Sequence, residues 1–187
     1  MRILKRITAV TLVVSMALFA LCSCGNDDPS IPDGMILVDS DFVSCKLYVP
    51  DDWIPQSYAG ADTGTSMIGA KASDGSNVSL VPMTPSGSYA SADDYFRTNY
   101  YTKIQSTFKN TVLLEDECST EGQYFGVQEV GCVKYVYTVE SDGVTYKIMQ
   151  YFMMNAGYLY IFTYTAAEAV FSEHLEEVSS MVKNFEF

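Results

Sequence analysis

The stretch Val144–Asn155, with the sequence VTYKIMQYFMMN, decides the fold that we predict for this chain. Apolar side chains occupy both alternating sets of positions in it, namely Tyr146, Ile148, Phe152 and Met154 in one set, and Met149, Tyr151 and Met153 in the other. Because successive side chains of a strand point to opposite faces, this pattern predicts a strand that is covered on both sides. We therefore expect it to lie in the centre of a sheet.

Turn signals on either side of this stretch indicate antiparallel neighbours. Ser141-Asp142-Gly143 precedes it and Asn155-Ala156-Gly157 follows it, and connections this short join antiparallel strands. The neighbouring strands are predicted over Val127–Glu140 and Tyr158–Thr165. Further strands are predicted over Met35–Val49, Ser66–Ala72, Asn77–Met83 and Thr111–Glu117, with a hairpin at Asp74-Gly75.

Two amphipathic helices complete the predicted fold. The first begins at the cap residue Ser91 and carries an apolar stripe with a spacing of four residues, formed by Phe96, Tyr100, Ile104 and Phe108. The second follows Thr165 and Glu168, which resemble a capping box, and carries Phe171, Leu175, Val178, Met181 and Val182. We predict a single α+β domain in which the two helices flank a central antiparallel sheet.

The order of these elements resembles the PsbP-like domain family over residues 35–187. The resemblance rests on the strand that leads into Pro50-Asp51-Asp52-Trp53, the Asp74-Gly75 hairpin, the mid-chain helix, the long strands after Gly126 and the C-terminal Met181–Phe185. It implies a central antiparallel sheet flanked by helices, in proteins that mostly bind partners or assist assemblies. Members include a photosystem extrinsic subunit and a nuclear import factor. The resemblance assigns no role to individual residues.

Residues 1–23 have the pattern of a lipoprotein signal peptide. Three cations precede the apolar run Ile7–Leu21, which is too short for a typical membrane-spanning helix. Leu21-Cys22-Ser23-Cys24 resembles the bacterial lipobox, so we expect Cys24 to carry lipid and residues 24–34 to form a tether. The alternatives are a signal peptide cut without lipidation and an uncleaved anchor. The lipoprotein interpretation places the domain on the extracytoplasmic face of the cell membrane, with a lipid anchor as its contact with the bilayer.

Composition and motifs exclude several function classes. A formal net charge of −12 makes nucleic acid an improbable partner. The chain has one histidine, His174, which we expect to be a structural residue of the second helix, and no nucleophile motif accompanies it. We predict no catalytic residues, no metal site and no cofactor, and we interpret Asp39–Asp41 and Glu115–Glu117 as solvated acidic turns because neither continues into a calcium loop.

Aromatic residues are the one chemical surplus of the chain. Six of them repeat on strand faces and form the candidate binding face, namely Tyr135, Tyr137, Tyr158, Tyr160, Phe162 and Tyr164. Rings aligned in this way can bind a sugar, an apolar ligand or a peptide. The alternative is that these tyrosines pack beneath a helix while their hydroxyl groups reach water.

Three cysteines remain after the predicted processing. Cys45 shares its strand face with apolar residues, so we expect a buried free thiol. Cys118 and Cys132 lie at similar distances from a probable turn at Tyr124–Gly126, and we consider a disulfide between them.

The function predicted from the sequence is that of a membrane-anchored extracytoplasmic lipoprotein that acts as a non-catalytic binding or assembly module. The sequence does not distinguish between a protein and a small molecule as its partner. The alternatives are a hydrolase tethered to the surface and a purely structural envelope protein.

Overall fold

An eight-stranded antiparallel sheet forms the centre of the part of the chain that the computed structural model describes, which is residues 31–38, 45–60 and 64–187. Seven strands follow one another in the order β3-β4-β5-β10-β9-β8-β6, and β7 pairs with the other end of β8. The strands are β1 (Met35–Val38), β2 (Leu47–Pro50), β3 (Trp53–Gly60), β4 (Gly64–Lys71), β5 (Asn77–Met83), β6 (Lys109–Leu113), β7 (Ser119–Phe125), β8 (Val130–Ser141), β9 (Val144–Asn155) and β10 (Tyr158–Ala167). β1 and β2 form a separate two-stranded ribbon.

The predicted central strand is confirmed. β9 pairs with β8 on one side from Val144 to Met153 and with β10 on the other side from Tyr146 to Asn155. Met149 and Met153 are buried in the apolar cluster on one face, whereas Ile148 and Phe152 are buried in the cluster on the opposite face. The two alternating apolar sets therefore belong to two separate cores, as the pattern predicts.

The first helix covers one face of the sheet and begins where the sequence predicts. The Ser91 side chain accepts a hydrogen bond from the Asp94 N–H at 3.1 Å, and the chain continues through α1 (Ala92–Tyr95), a π-helical segment (Phe96–Tyr100) and α2 (Tyr101–Thr107). Phe96 stacks on Tyr135 with ring centroids 3.5 Å apart, which anchors this layer to β8. No helix of the described part of the chain is long and apolar enough to span a bilayer.

The second helix and the β1–β2 ribbon cover the other face. A 3₁₀ turn (Phe171–His174) leads into α3 (Leu175–Asn184), whose Val178 and Met181 are fully buried. The predicted capping box at Thr165 and Glu168 is wrong. Thr165 lies within β10, where it pairs with Ile148 of β9 and Asn77 of β5, so the strand continues to Ala167 before any helical turn begins.

Two strand predictions need correction, and two strands, β3 and β7, were not predicted. The predicted strand over Met35–Val49 is two antiparallel strands, β1 and β2, and its centre lies outside the described residues, as does Cys24. β3 was not predicted, because Pro55 and its polar neighbours weaken the strand signal, but proline is tolerated in an edge strand. In Thr111–Glu117 the strand ends at Leu113, and Glu115–Glu117 forms an exposed 3₁₀ turn.

The predicted disulfide between Cys118 and Cys132 is not formed, and both are free thiols. The register of β7 shifts between Ser119 and Gln123, so Cys132 lies opposite Gln123, whereas the Cys118 sulfur accepts a hydrogen bond from the Val136 N–H at 3.4 Å. Positions 132 and 136 are about 13 Å apart along a strand. The two side chains also pack against opposite clusters. The prediction for Cys45 is confirmed, because it is a buried free thiol.

A tight contact at Gly126 supports a stability prediction. Gly126 has φ +75° and its N–H donates to the Val182 carbonyl of α3 at 2.9 Å, and a Cβ there would lie 2.7 Å from the Phe185 carbonyl oxygen. We expect Gly126→Ala to lower the free energy of unfolding by about 2 kcal/mol or more, since it adds both backbone strain and a clash. Urea unfolding measures this. Gly131→Ala is the matched control, because a Cβ there meets no atom within 4 Å.

Candidate functional site

The candidate binding face that the sequence predicts is largely buried. Tyr135, Tyr137, Phe162 and Tyr164 have at most 1% of their surface exposed. The three tyrosine hydroxyl groups all have partners within the protein. Tyr137 donates to Gln150 Oε1 at 2.8 Å, Tyr164 donates to the Phe171 carbonyl at 2.9 Å, and Tyr135 donates to the Asp93 carboxylate. Because buried rings cannot contact a ligand, this part of the prediction is wrong. The alternative, in which the tyrosines pack beneath the helical layers, describes these four residues correctly.

The other two members of that face lie at the surface. Tyr158 is 50% exposed at the turn between β9 and β10, and Tyr160 is partly covered by Phe187, with ring centroids 5.1 Å apart. These two rings meet edge to face. Tyr160 packs against the cluster that contains Phe162 and Tyr164, but those two rings are buried, so the row does not form the continuous exposed platform that the sequence predicts.

A groove of about 420 Å³ lies at the end of the sheet that α1 leaves uncovered. One wall is the start of the first helix, at Ser91, and the other is the edge strand β7, at Tyr124. Tyr124 pairs with Gly131 of β8. Cys132 pairs with Met153 of β9, and the same register continued by one residue places Gly131 next to Met154, so these three residues form one row across the sheet. Because α1 begins at Ala92, only the small side chain of its first residue reaches the groove.

The floor of the groove is a glycine. A Cβ on Gly131 would meet no heavy atom within 4 Å, and its backbone does not require a positive φ. The apolar groups on either side remain accessible, with Tyr124 63% exposed and Met154 37% exposed. The absence of a side chain at position 131 therefore creates the recess, and the ring and the thioether beside it provide apolar contact surface.

The polar groups around the groove disfavour an anionic ligand. The Ala90 N–H donates to the Asp94 carboxylate at 3.0 Å, and the Asp94 N–H donates to the Ser91 hydroxyl oxygen at 3.1 Å. These two backbone donors at the helix start are therefore not available to an anion. Asp93 adds a second carboxylate to the same turn. In contrast, β7 pairs only with β8 among the described strands, so its outer edge offers free backbone donors and acceptors.

A second group of functional side chains surrounds His174, far from the groove. His174 Nε2 lies 2.8 Å from Asp74 Oδ2, and Nδ1 lies 2.9 Å from Glu177 Oε2. Glu177 also accepts hydrogen bonds from Trp53 Nε1 and from Lys71 Nζ, each at 3.1 Å. We call these five residues the His174 cluster. It joins the β4–β5 hairpin and the start of β3 to the first turn of α3.

Carboxylates on both sides favour the protonated form of the imidazole. Burial lowers the pKa of His174, but its hydrogen bonds to Asp74 and Glu177 outweigh burial and raise the pKa above 6.5. For Asp74 the directions are reversed. Burial raises its pKa, but hydrogen bonds from His174 and Ser76 outweigh burial and lower the pKa to about 2. Since both ring nitrogens contact carboxylates, neither is free to accept a proton from a substrate or a serine.

Comparison with known proteins identifies the fold. No protein-family model matches the chain, and no curated protein matches it in sequence. The solution structure of cyanobacterial PsbP (CyanoP) from Synechocystis sp. PCC 6803 is similar with a TM-score of 0.56 and 18% identity, covering 89% of this chain and 98% of that one. The chain has the PsbP-like fold. A mutant of the protein Mog1 has a TM-score of 0.53 and 10% identity, covering 81% and 95% of the two chains.

The motif that suggested the PsbP-like fold has a structural role in this chain. Trp53 follows Pro50-Asp51-Asp52 and is buried to 99%, with its indole N–H donating to Glu177. Its ring meets His174 edge to face at 5.8 Å. The tryptophan therefore links β3 to α3. Because its ring contacts His174, its fluorescence is sensitive to changes in the His174 cluster.

The pKa shifts in the His174 cluster predict how stability depends on pH. The contribution of His174 is fully present below pH 6.5, the ordinary histidine pKa, and is lost as the pH rises through the higher folded value. The contribution of Asp74 is present above pH 3.8 and is lost as the pH falls through about 2. We therefore expect the melting temperature to decline on the alkaline side of pH 6.5, and this decline to be reduced in His174→Gln.

Fluorescence identifies the titrating group, because the chain has one tryptophan and one histidine. A protonated imidazole quenches an adjacent indole, so Trp53 emission should increase as the pH rises above 6.5. The His174→Gln variant should show a flat profile. Emission of the wild-type chain that does not change across this range would contradict the assignment of a raised pKa to His174.

Proposed function

We propose that this protein is a membrane-anchored extracytoplasmic lipoprotein that acts as a non-catalytic binding or assembly module through the groove between α1 and β7. The observation that carries the proposal is the accessible row of Tyr124, Gly131 and Met154 beside the start of α1. A recess of this size accommodates one or two apolar side chains. The PsbP-like resemblance, which implies proteins that bind partners or assist assemblies, supports the same class.

The groove favours an extended segment of a partner protein that presents an apolar anchor. An apolar side chain would sit over Gly131, between the Tyr124 ring and the Met154 thioether, and gain contact area with both. The free outer edge of β7 would add backbone hydrogen bonds to such a segment. Asp93 is already paired with Arg97 at 3.0 Å, so the Asp94 carboxylate next to the groove is the charge that favours a partner that is neutral or basic near its anchor.

The side-chain chemistry favours binding over hydrolysis. In the described part of the chain, the partners of the His174 nitrogens are the carboxylates of Asp74 and Glu177, and no hydroxyl or thiol group contacts this ring. The groove itself contains no histidine, lysine or carboxylate in its lining. A surface-tethered hydrolase would need an acid or base at the place where the ligand binds.

Photocrosslinking tests the groove directly. A photoreactive phenylalanine analogue in place of Tyr124 should crosslink to the partner in native membranes, whereas the same analogue in place of Ile54, exposed on the far edge strand β3, should not. In a Gly131→Leu background the crosslink at position 124 should fall at least about tenfold, because the added side chain fills the recess.

Gly131→Ala is the control for this experiment, because it adds one methyl group into open space and leaves most of the recess available. Both variants should melt within a few degrees of the wild type, so a lost crosslink would report on the groove and not on folding. A crosslink at position 124 that persists undiminished in Gly131→Leu would contradict the proposed site.

Membrane attachment through Cys24 is tested separately. We expect Cys24→Ala to remove acylation, and the protein either to leave the membrane fraction or to accumulate as an uncleaved precursor, because two acyl chains provide the anchor. Cys22→Ala is the matched control and should fractionate like the wild type, since bulky Leu21 directly precedes position 22. Metabolic labelling with a fatty acid measures the modification. Equal labelling of Cys24→Ala and wild type would contradict this anchor.

A further inference from the structure

Three potential metal ligands converge where the β4–β5 hairpin meets the start of α3. Asp74, Glu173 and His174 each offer one ligand atom, and these atoms lie within 4.8 Å of one another. Asp74 belongs to the hairpin turn, whereas the other two belong to the 3₁₀ turn before α3. We propose that these three residues bind a divalent transition-metal ion of the zinc type. This site is separate from the groove and goes beyond the proposed binding function.

The position of the histidine suits metal binding. His174 Nε2 points at Asp74 Oδ2 from 2.8 Å, so the proton between them occupies the direction in which an ion would be bound. Ligand atoms around a tetrahedral zinc ion are about 3.3 Å apart, given bonds of about 2.0 Å. The Asp74 oxygen now lies on the line along which Nε2 would bind the ion, so it must move aside by about 2 Å to become a ligand, and rotation of the side chain can provide this movement. Glu173 is exposed, and among the described residues its carboxylate forms no salt bridge. Its side chain can therefore rotate toward the ion and provide the third ligand.

The outer shell of a metal site is already built around the imidazole. His174 Nδ1 contacts Glu177 Oε2 at 2.9 Å, and that carboxylate is itself held by Trp53 Nε1 and by Lys71 Nζ. A carboxylate on the far nitrogen fixes the ring orientation and tautomer, and it makes the near nitrogen a better ligand. This arrangement is independent of the acidic residues on the metal side.

A buried hydroxyl adds a second observation. Ser76 is fully buried beside Asp74, to which its backbone N–H donates at 2.8 Å, and its Oγ has no hydrogen-bond partner. A buried polar group without a partner carries a free-energy cost. The hydroxyl lies beside the Asp74 turn, where it can donate to the carboxylate that binds an ion and become part of the second shell.

The donor set selects the class of ion. One imidazole nitrogen and two carboxylate oxygens suit zinc and related first-row ions, whereas calcium and magnesium prefer sets made only of oxygen atoms. Three protein ligands leave a fourth position for water or for a group from a partner. A bound ion would lock the hairpin turn to α3 and stabilise the side of the fold that carries Trp53.

Zinc titration of the purified full chain, after treatment with a chelator, tests the proposal. We expect Trp53 emission to change and saturate at one equivalent, and the melting temperature to rise, with no response to calcium or magnesium at the same concentrations. Glu173→Gln and Asp74→Asn should weaken zinc binding at least about tenfold. Asn at position 74 keeps an acceptor for the Ser76 N–H, so the turn should still form.

Glu176→Gln is the matched control, because Glu176 is an exposed carboxylate at the start of the same helix and is outside the cluster. This variant should bind zinc with the affinity of the wild type. No zinc response in the wild type would overturn the proposal. So would zinc binding of equal strength in Glu173→Gln, Asp74→Asn and wild type, since the ion would then be bound elsewhere, for example by cysteine thiols.

Discussion

The burial of β9 on both faces is the constraint on which the rest of the fold depends. A strand with methionines on one side and isoleucine and phenylalanine on the other leaves both faces of its sheet in need of an apolar layer. The α1–α2 segment provides one layer, and α3 with the β1–β2 ribbon provides the other. Covering both faces also explains why so many tyrosines are buried, since the rings of β8 and β10 lie next to β9 beneath these layers.

The sequence predicted this architecture where the local pattern is sufficient to define it. Periodicity in β9 and the cap at Ser91 act within a few residues, and both predictions are confirmed. The prediction failed where a distant contact decides the outcome. Thr165 and Glu168 match a helix cap locally, but strand pairing on two sides extends β10 past Thr165. The register shift in β7 likewise separates Cys118 from Cys132, and no sequence signal marks that bulge.

The candidate sites likewise combine features that the local sequence predicts with features that depend on distant contacts. Aromatic periodicity identified strand faces correctly but could not show how far a helix would extend along them. The accessible groove depends on Gly131, and a missing side chain leaves no periodic signal. The His174 cluster depends on Asp74, which lies 100 residues away along the chain. A polar turn residue and a lone helical histidine each have an ordinary structural interpretation, and only the fold brings them together.

The cysteines have a consequence for chemical durability. Burial raises the pKa of Cys45 to about 11 and that of Cys132 to about 12. At neutral pH, a thiol with a pKa of 11 is a thiolate in about one molecule in ten thousand, and the thiolate is the form that reacts with oxidants and disulfides. An odd number of cysteines in an oxidising compartment normally risks mixed disulfides and covalent dimers. Packing keeps the Cys45 and Cys132 thiols protonated, so slow reaction of these two cysteines with oxidants is a consequence of where the sheet buries them.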